Sequence, residues 1–237
     1  MYNATAPVGA KWGLAVLALL FGVAETKAVN IVAVNADVTV FADGWVVGPN
    51  PLGKIDFVFD EEVEVTAGEV FAYTIDALPI AIDVTPEDQP TTTLTVTFSV
   101  PVVANVVTVV VPDGAVTATS GGASLDGELQ DPRNPALPSG DGSAGGSAVV
   151  RFAVLAGDAN RDGRTSFQDI AFIGPLFGLC TDDAGYDIRA DLDGNGCIED
   201  VNANSNGDAA IWQNAPEAVI ADAPDVDSDG VADAFDN

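Results

Sequence analysis

Thr93–Val100 reads TLTVTFSV. Leu94, Val96, Phe98 and Val100 alternate with Thr93, Thr95, Thr97 and Ser99. Successive side chains of an extended chain leave opposite faces, so the alternation predicts a half-buried strand with one apolar and one hydroxyl face. Lys54–Phe59 (KIDFVF) repeats the pattern with Ile55, Phe57 and Phe59 inward. Val102–Val111 is β-branched almost throughout and predicts a strand buried on both faces. Val70–Ile75 and Val149–Val154 are further strands. Turn residues separate these runs: Asp43-Gly44, Gly48–Pro51, Thr85–Asp88 and Pro112–Gly114. The expected fold class is therefore mainly β, with about seven short strands in a two-sheet sandwich over residues 29–155. The irregular stretch Thr119–Ser147 is expected to be a flexible excursion at one end of it.

The chain carries 36 acidic and 8 basic residues, a net charge of −28, and no histidine. Such a surface repels phosphate backbones, which argues against nucleic acid as a partner. Without histidine there is no Ser-His-Asp or Cys-His nucleophile and no ordinary zinc site. Paired carboxylates such as Asp60 and Glu62 remain formally open to acid–base work. In an acidic chain they are more often solvated surface or metal ligands, so the expectation is a non-enzyme.

Residues 1–28 read as a secretory signal. Lys11 precedes the apolar run Trp12–Ala24, and small residues allow cleavage after Ala24 or Ala28. That run is shorter than the roughly 20 residues needed to span a bilayer. No other segment is long and apolar enough, so the mature chain is expected to be secreted or held at the cell surface. The two cysteines, Cys180 and Cys197, are then expected to pair in an oxidising compartment.

Beyond residue 155 the composition shifts to Asp, Asn and Gly. Asp158–Asp169 reads DANRDGRTSFQD. Asp158, Asn160, Asp162, Ser166 and Asp169 occupy positions 1, 3, 5, 9 and 12 of a loop, with Gly163 at 6. This is the spacing of an EF-hand-type calcium loop. Arg164 would contribute its backbone carbonyl at position 7, and Ser166 would act through a water. A second run places Asp191, Asp193 and Asn195 at positions 1, 3 and 5, Gly196 at 6 and the Cys197 carbonyl at 7. Its strict position 12 is the neutral Asn202. An insertion before the helical DAAIWQN (208–214) would let Asp208 close that loop; Glu199 and Asp200 are the alternative ligands. Asp225, Asp227, Asp229, Val231 (carbonyl), Asp233 and Asp236 repeat the spacing once more, in a tail that is otherwise a solvated acidic segment. The cofactor implied throughout is Ca2+. Ile170, Ile173 and Phe177 give an apolar face to a helix starting near Asp169 and shortened or kinked by Pro175. Ile211 and Trp212 anchor the matching helix.

Three resemblances follow. KIDFVFDEEV, TLTVTFSVPV, LDGE (125–128) and PSGDGSAGG (138–146) leading into VVRFAVL resemble bacterial immunoglobulin-like domains, which implies a spacer or presentation scaffold at 29–155. GDANRDGRTSFQDIAFI and ADLDGNGCI with GDAAIW resemble the dockerin family over 156–216. That resemblance implies a small α-helical domain folded on two calcium ions and a cohesin-like or surface-scaffold protein partner. Dockerins usually carry a small hydroxyl pair at loop positions 10 and 11. Here Phe167 and Gln168 stand there in the first loop, and Asn206 and Gly207 in the second. DVDSDGVADAFDN, in the tail 217–237, resembles a thrombospondin type 3 repeat. Dockerins often belong to polysaccharide-degrading systems, so a polysaccharide is the alternative partner. Trp45 is the aromatic best suited to stack on a sugar, although a core or strand-end role competes.

Overall fold

The computed structural model describes residues 27–48, 50–86, 89–200 and 207–215. The tail aspartates Asp225, Asp227, Asp229, Asp233 and Asp236 with Val231, residues 1–26 of the expected signal, and Asn202 lie outside these residues.

The fold is mainly β and contains two sheets. The strands are β1 (Val29–Ala36), β2 (Trp45–Val46), β3 (Leu52–Val65), β4 (Phe71–Thr74), β5 (Pro79–Ile80) and β6 (Ile82–Thr85). They continue as β7 (Thr91–Val102), β8 (Ala104–Val111), β9 (Val116–Ala118), β10 (Leu125–Asp126) and β11 (Ala148–Leu155). One sheet has the order β10-β1-β3-β7-β6, with β9 on the far part of β3. The other runs β2-β11-β8-β4-β5. Pairing is antiparallel except for β1 with β10 and β11 with β2.

The expected alternation places the core. Ile55 and Phe57 of β3 and Leu94 and Val96 of β7 are fully buried, and they meet Val107, Val109 and Val150 of the opposite sheet. The elements are longer than the sequence pattern suggested. β3 runs for fourteen residues and β7 for twelve, in place of short strands. Val102 belongs to β7, and the turn falls at Val103. Val100 lies beyond the pairing with β6, which ends at Phe98, and it is 75 % exposed.

A second apolar cluster lies on the outer face of the second sheet. Val106 of β8, Ala153 and Leu155 of β11, and Trp45 and Val47 pack against Ala159, Ile173, Ala190, Leu192 and Ile198. This is why β8 and β11 are buried on both faces: Val107, Val109 and Val154 face the first core, while Val106, Ala153 and Leu155 face the second. The composition shift near residue 156 therefore marks no break in packing. Arg161 pairs with Asp43 and lies 4.8 Å above the Phe41 ring, fastening the two regions further.

The excursion 119–147 is tied down, contrary to expectation. The Ser139 hydroxyl accepts from the Ile31 N–H (2.8 Å) and donates to the Asp126 carbonyl (2.6 Å). The fully buried Asp126 carboxylate accepts from the N–H groups of Asp141 and Gly142. The described residues also form two short helices, α1 (Phe167–Ile173) and α2 (Asp208–Asn214). α1 begins at Phe167, ahead of Asp169, and Pro175 follows in a 3-10 turn over Gly174–Leu176. Among the described residues no helix is long and apolar enough to cross a membrane.

Candidate metal centre

The first loop folds around two buried carboxylates. Asp158 and Asp169 have no exposed surface. The Asp158 oxygens accept from the N–H groups of Asp162 (3.1 Å) and Gly163 (3.0 Å). Those of Asp169 accept from Asn160 (3.2 Å) and Ser166 (2.6 Å). Gly163 makes the bend with φ +81°, which a Cβ would strain. Asn160 donates its amide to Asp162 at 3.0 Å. The Ser166 hydroxyl caps α1 by accepting from Gln168, and the Trp212 indole donates to the Ser166 carbonyl at 3.0 Å. Arg164 is exposed, and its N–H donates to Asp162.

The second loop repeats this arrangement residue for residue. The Asp191 oxygens accept from Asn195 (3.1 Å) and Gly196 (2.9 Å), as Asp158 accepts from Asp162 and Gly163. Asp208 accepts from Asp193 (3.2 Å) and Glu199 (2.8 Å), the third and ninth positions, as Asp169 does from Asn160 and Ser166. It takes the Leu192 N–H as well. Asp208 thus stands where a twelfth residue would, although it is the eighteenth from Asp191 in the chain. Asn195 donates its amide to Asp193 and Glu199, and its own carbonyl oxygen accepts from the Cys197 N–H. The base of this loop is clipped. Cys180 and Cys197 form a disulfide, and the backbones pair around it through Thr181 to Gly196 (2.8 Å) and Ile198 to Leu179 (2.8 Å).

The loops differ in how tightly their carboxylates converge. Asp191, Asp193 and Asp208 each present an oxygen, and these lie within 4.8 Å of one another. That spacing suits ligands sharing one hard cation at 2.3–2.6 Å. Asp158, Asp162 and Asp169 do not meet that spacing, so the first loop offers two central carboxylates with Asn160 and Asp162 at the rim. The Oε2 of Glu199 is buried and accepts no hydrogen bond, and the Glu199 side chain lies against the Asp208 carboxylate. A buried acceptor beside another carboxylate, without a hydrogen bond among the described residues, fits a site completed by a cation.

Electrostatics point the same way. Burial, followed by the charges of Asp169 and Asp162, pushes the Asp158 carboxyl up to about 8. Burial pushes Asp208 up to about 6, and Asp169 and Asp193 also rise mainly through burial. Without a counter-ion, burial penalises the charge on each of these groups, most of all on Asp158, and a divalent cation would offset that penalty. Tyr186 was not evident from spacing: its hydroxyl donates to Asp191, and burial first and Asp191 second hold the phenol above its usual range.

Trp45 is 3 % exposed in the second apolar cluster, so it offers no sugar platform. Asp60 is held by Asn30 and an ion pair with Lys27. Neither a protein-family model nor a curated protein matches the chain.

Proposed function

We propose that this chain is an exported, non-catalytic attachment module whose C-terminal third is a dockerin-like unit organised by Ca2+. One observation carries the reading: two loops of separate sequence adopt the same hydrogen-bond pattern around paired buried aspartates, although an insertion interrupts the second. Asp158, Asn160, Asp162, the Arg164 carbonyl and Asp169 would hold one ion. Asp191, Asp193, Asn195, the Cys197 carbonyl and Asp208 would hold the other, with Glu199 alongside. The ions neutralise carboxylates that burial otherwise penalises, so binding adds stability to the folded state by mass action. The disulfide suits an oxidising exterior.

The immunoglobulin-like sandwich is the scaffold in this reading, and the protein partner docks beside α1. Phe167, at loop position 10, is 78 % exposed at the start of that helix and is available for contact. The test is thermal melting with millimolar calcium and with chelator. A large rise in Tm with calcium, abolished by Asp158→Ala together with Asp191→Ala, supports the proposal. Coincident curves in the two conditions defeat it.

A further inference from the structure

The described residues include seven of the eight basic side chains, and four are spent on ion pairs: Lys27 with Asp60, Lys54 with Asp56, Arg161 with Asp43 and Arg189 with Asp187. Arg164 is exposed on the first loop. The remaining two, Arg133 and Arg151, form no ion pair among the described residues, and both line one cleft. The cleft has a volume of about 340 Å³ and is walled by Val34, Val40, Phe41 and Phe152.

This pairing is built into the backbone. The Arg151 N–H donates to the Pro132 carbonyl at 2.8 Å, which brings residue 133 alongside β11. Gly44 sits between them: a Cβ added there would lie 2.6 Å from the Arg151 carbonyl oxygen and 3.2 Å from the Arg133 Cβ. The tethered excursion 119–147 thus has a reason to be ordered, because it delivers Arg133 to the rim. Asp131 accepts the Arg133 backbone N–H, and Asp43 pairs with Arg161.

We infer that this cleft binds a small organic anion, a carboxylate on an apolar body. Two half-buried guanidiniums present up to ten N–H donors suited to a planar carboxylate, and the valine and phenylalanine wall takes the apolar part. The volume matches a ligand at the lower end of small-molecule sites. The long-range field of a −28 chain repels anions, so two unneutralised arginines in one recess are what a dedicated anion site requires. The site shares no residue with the metal loops, so it stands apart from the calcium reading.

The probe is phenylacetate, titrated by calorimetry and by ligand-observed NMR into the full calcium-treated chain, with phenylacetamide as the neutral isostere. Millimolar or tighter binding of the acid, with the amide at least about tenfold weaker, is expected. Arg151→Gln and, separately, Arg133→Gln should each weaken the acid by on the order of tenfold or more, and Arg→Lys at either position by less. Arg133→Gln tests the idea even if Arg151→Gln fails to fold, and unchanged melting and calcium titration of the variants show that any loss is local. Equal affinity for acid and amide, unaltered binding by Arg133→Gln, or no binding of phenylacetate at 10 mM overturns the inference.

Discussion

Replacing Asp208 by asparagine should leave the metal-free protein intact and remove half of what calcium adds. The carboxylate accepts backbone N–H groups from Leu192, Asp193 and Glu199 while standing beside Asp191, Asp193 and the Glu199 side chain. Its pKa, held up to about 6, means that the charge at neutral pH costs the folded state at most about 3 kcal/mol. Asparagine removes that cost at equal volume. It also turns one acceptor oxygen into a donor facing an N–H, a loss of about 1–3 kcal/mol. The two terms nearly cancel, so Tm in chelator should stay level or rise slightly. With calcium the balance inverts. A site filled at a hundredfold excess over its Kd adds about 2.7 kcal/mol. At about 2–4 °C per kcal/mol for a chain of this size, losing it lowers Tm by about 5–10 °C. Scanning fluorimetry on Asp208→Asn, with Asn202→Ala as control, measures both conditions. A similar loss in chelator and in calcium would mean that Asp208 is merely structural. Loss of the calcium effect in Asn202→Ala instead would place the closing ligand in the inserted segment.

Further perturbations address other parts of the account. Trp45→Ala empties the centre of the cluster joining the second sheet to the metal loops, and denaturant melts should show a loss of about 3–5 kcal/mol; a change below 1 kcal/mol would show that the contact is not packed. Cys180→Ser opens a bridge across 17 residues and should cost about 3 kcal/mol, with calcium affinity at the second loop falling more than at the first; equal effects on both loops would contradict the clip. The pH dependence has a definite sign. The folded pKa values of Asp158 and Asp208 are raised, so in chelator their contribution to stability is full below about pH 4 and is lost as pH rises through about 6 and then 8. Chelated protein should melt at progressively lower temperature from pH 5 to 8, and the gain from calcium should grow over the same window. A chelated Tm that climbs with pH would refute the burial argument.

Much of the fold was legible because alternation is a local signal. Ile55, Phe57, Leu94, Val96 and Phe98 are buried as their pattern requires. Val100 continues the alternation yet is exposed, because it lies beyond the pairing with β6, which stops at Phe98, and the length of the neighbouring strand is not written in the alternation. The excursion 119–147 looked free because its anchors, Ser139 to Ile31 and Asp126 to Gly142, are long-range and polar. Trp45 read as core or strand end ahead of a sugar platform, and the covering segment from Ala159 to Ile198 buries it. The aspartates that each loop gathers were legible from position alone, since each loop is short. Glu199, Asp200 and Asp208 remained alternatives in the sequence because an insertion removes the register there; the structure brings Asp208 beside Asp191 and Asp193. Tyr186 and the Arg133–Arg151 pair had no sequence signal, because nothing local links them to what they face.

The most direct measurement is the calcium stoichiometry of residues 29–215, by isothermal titration calorimetry cross-checked with native mass spectrometry. Two saturable ions are predicted, falling to one in Asp158→Ala and to one in Asp191→Ala. No saturable uptake, or uptake unchanged in both variants, would contradict the claim that these aspartates are arranged to enclose metal.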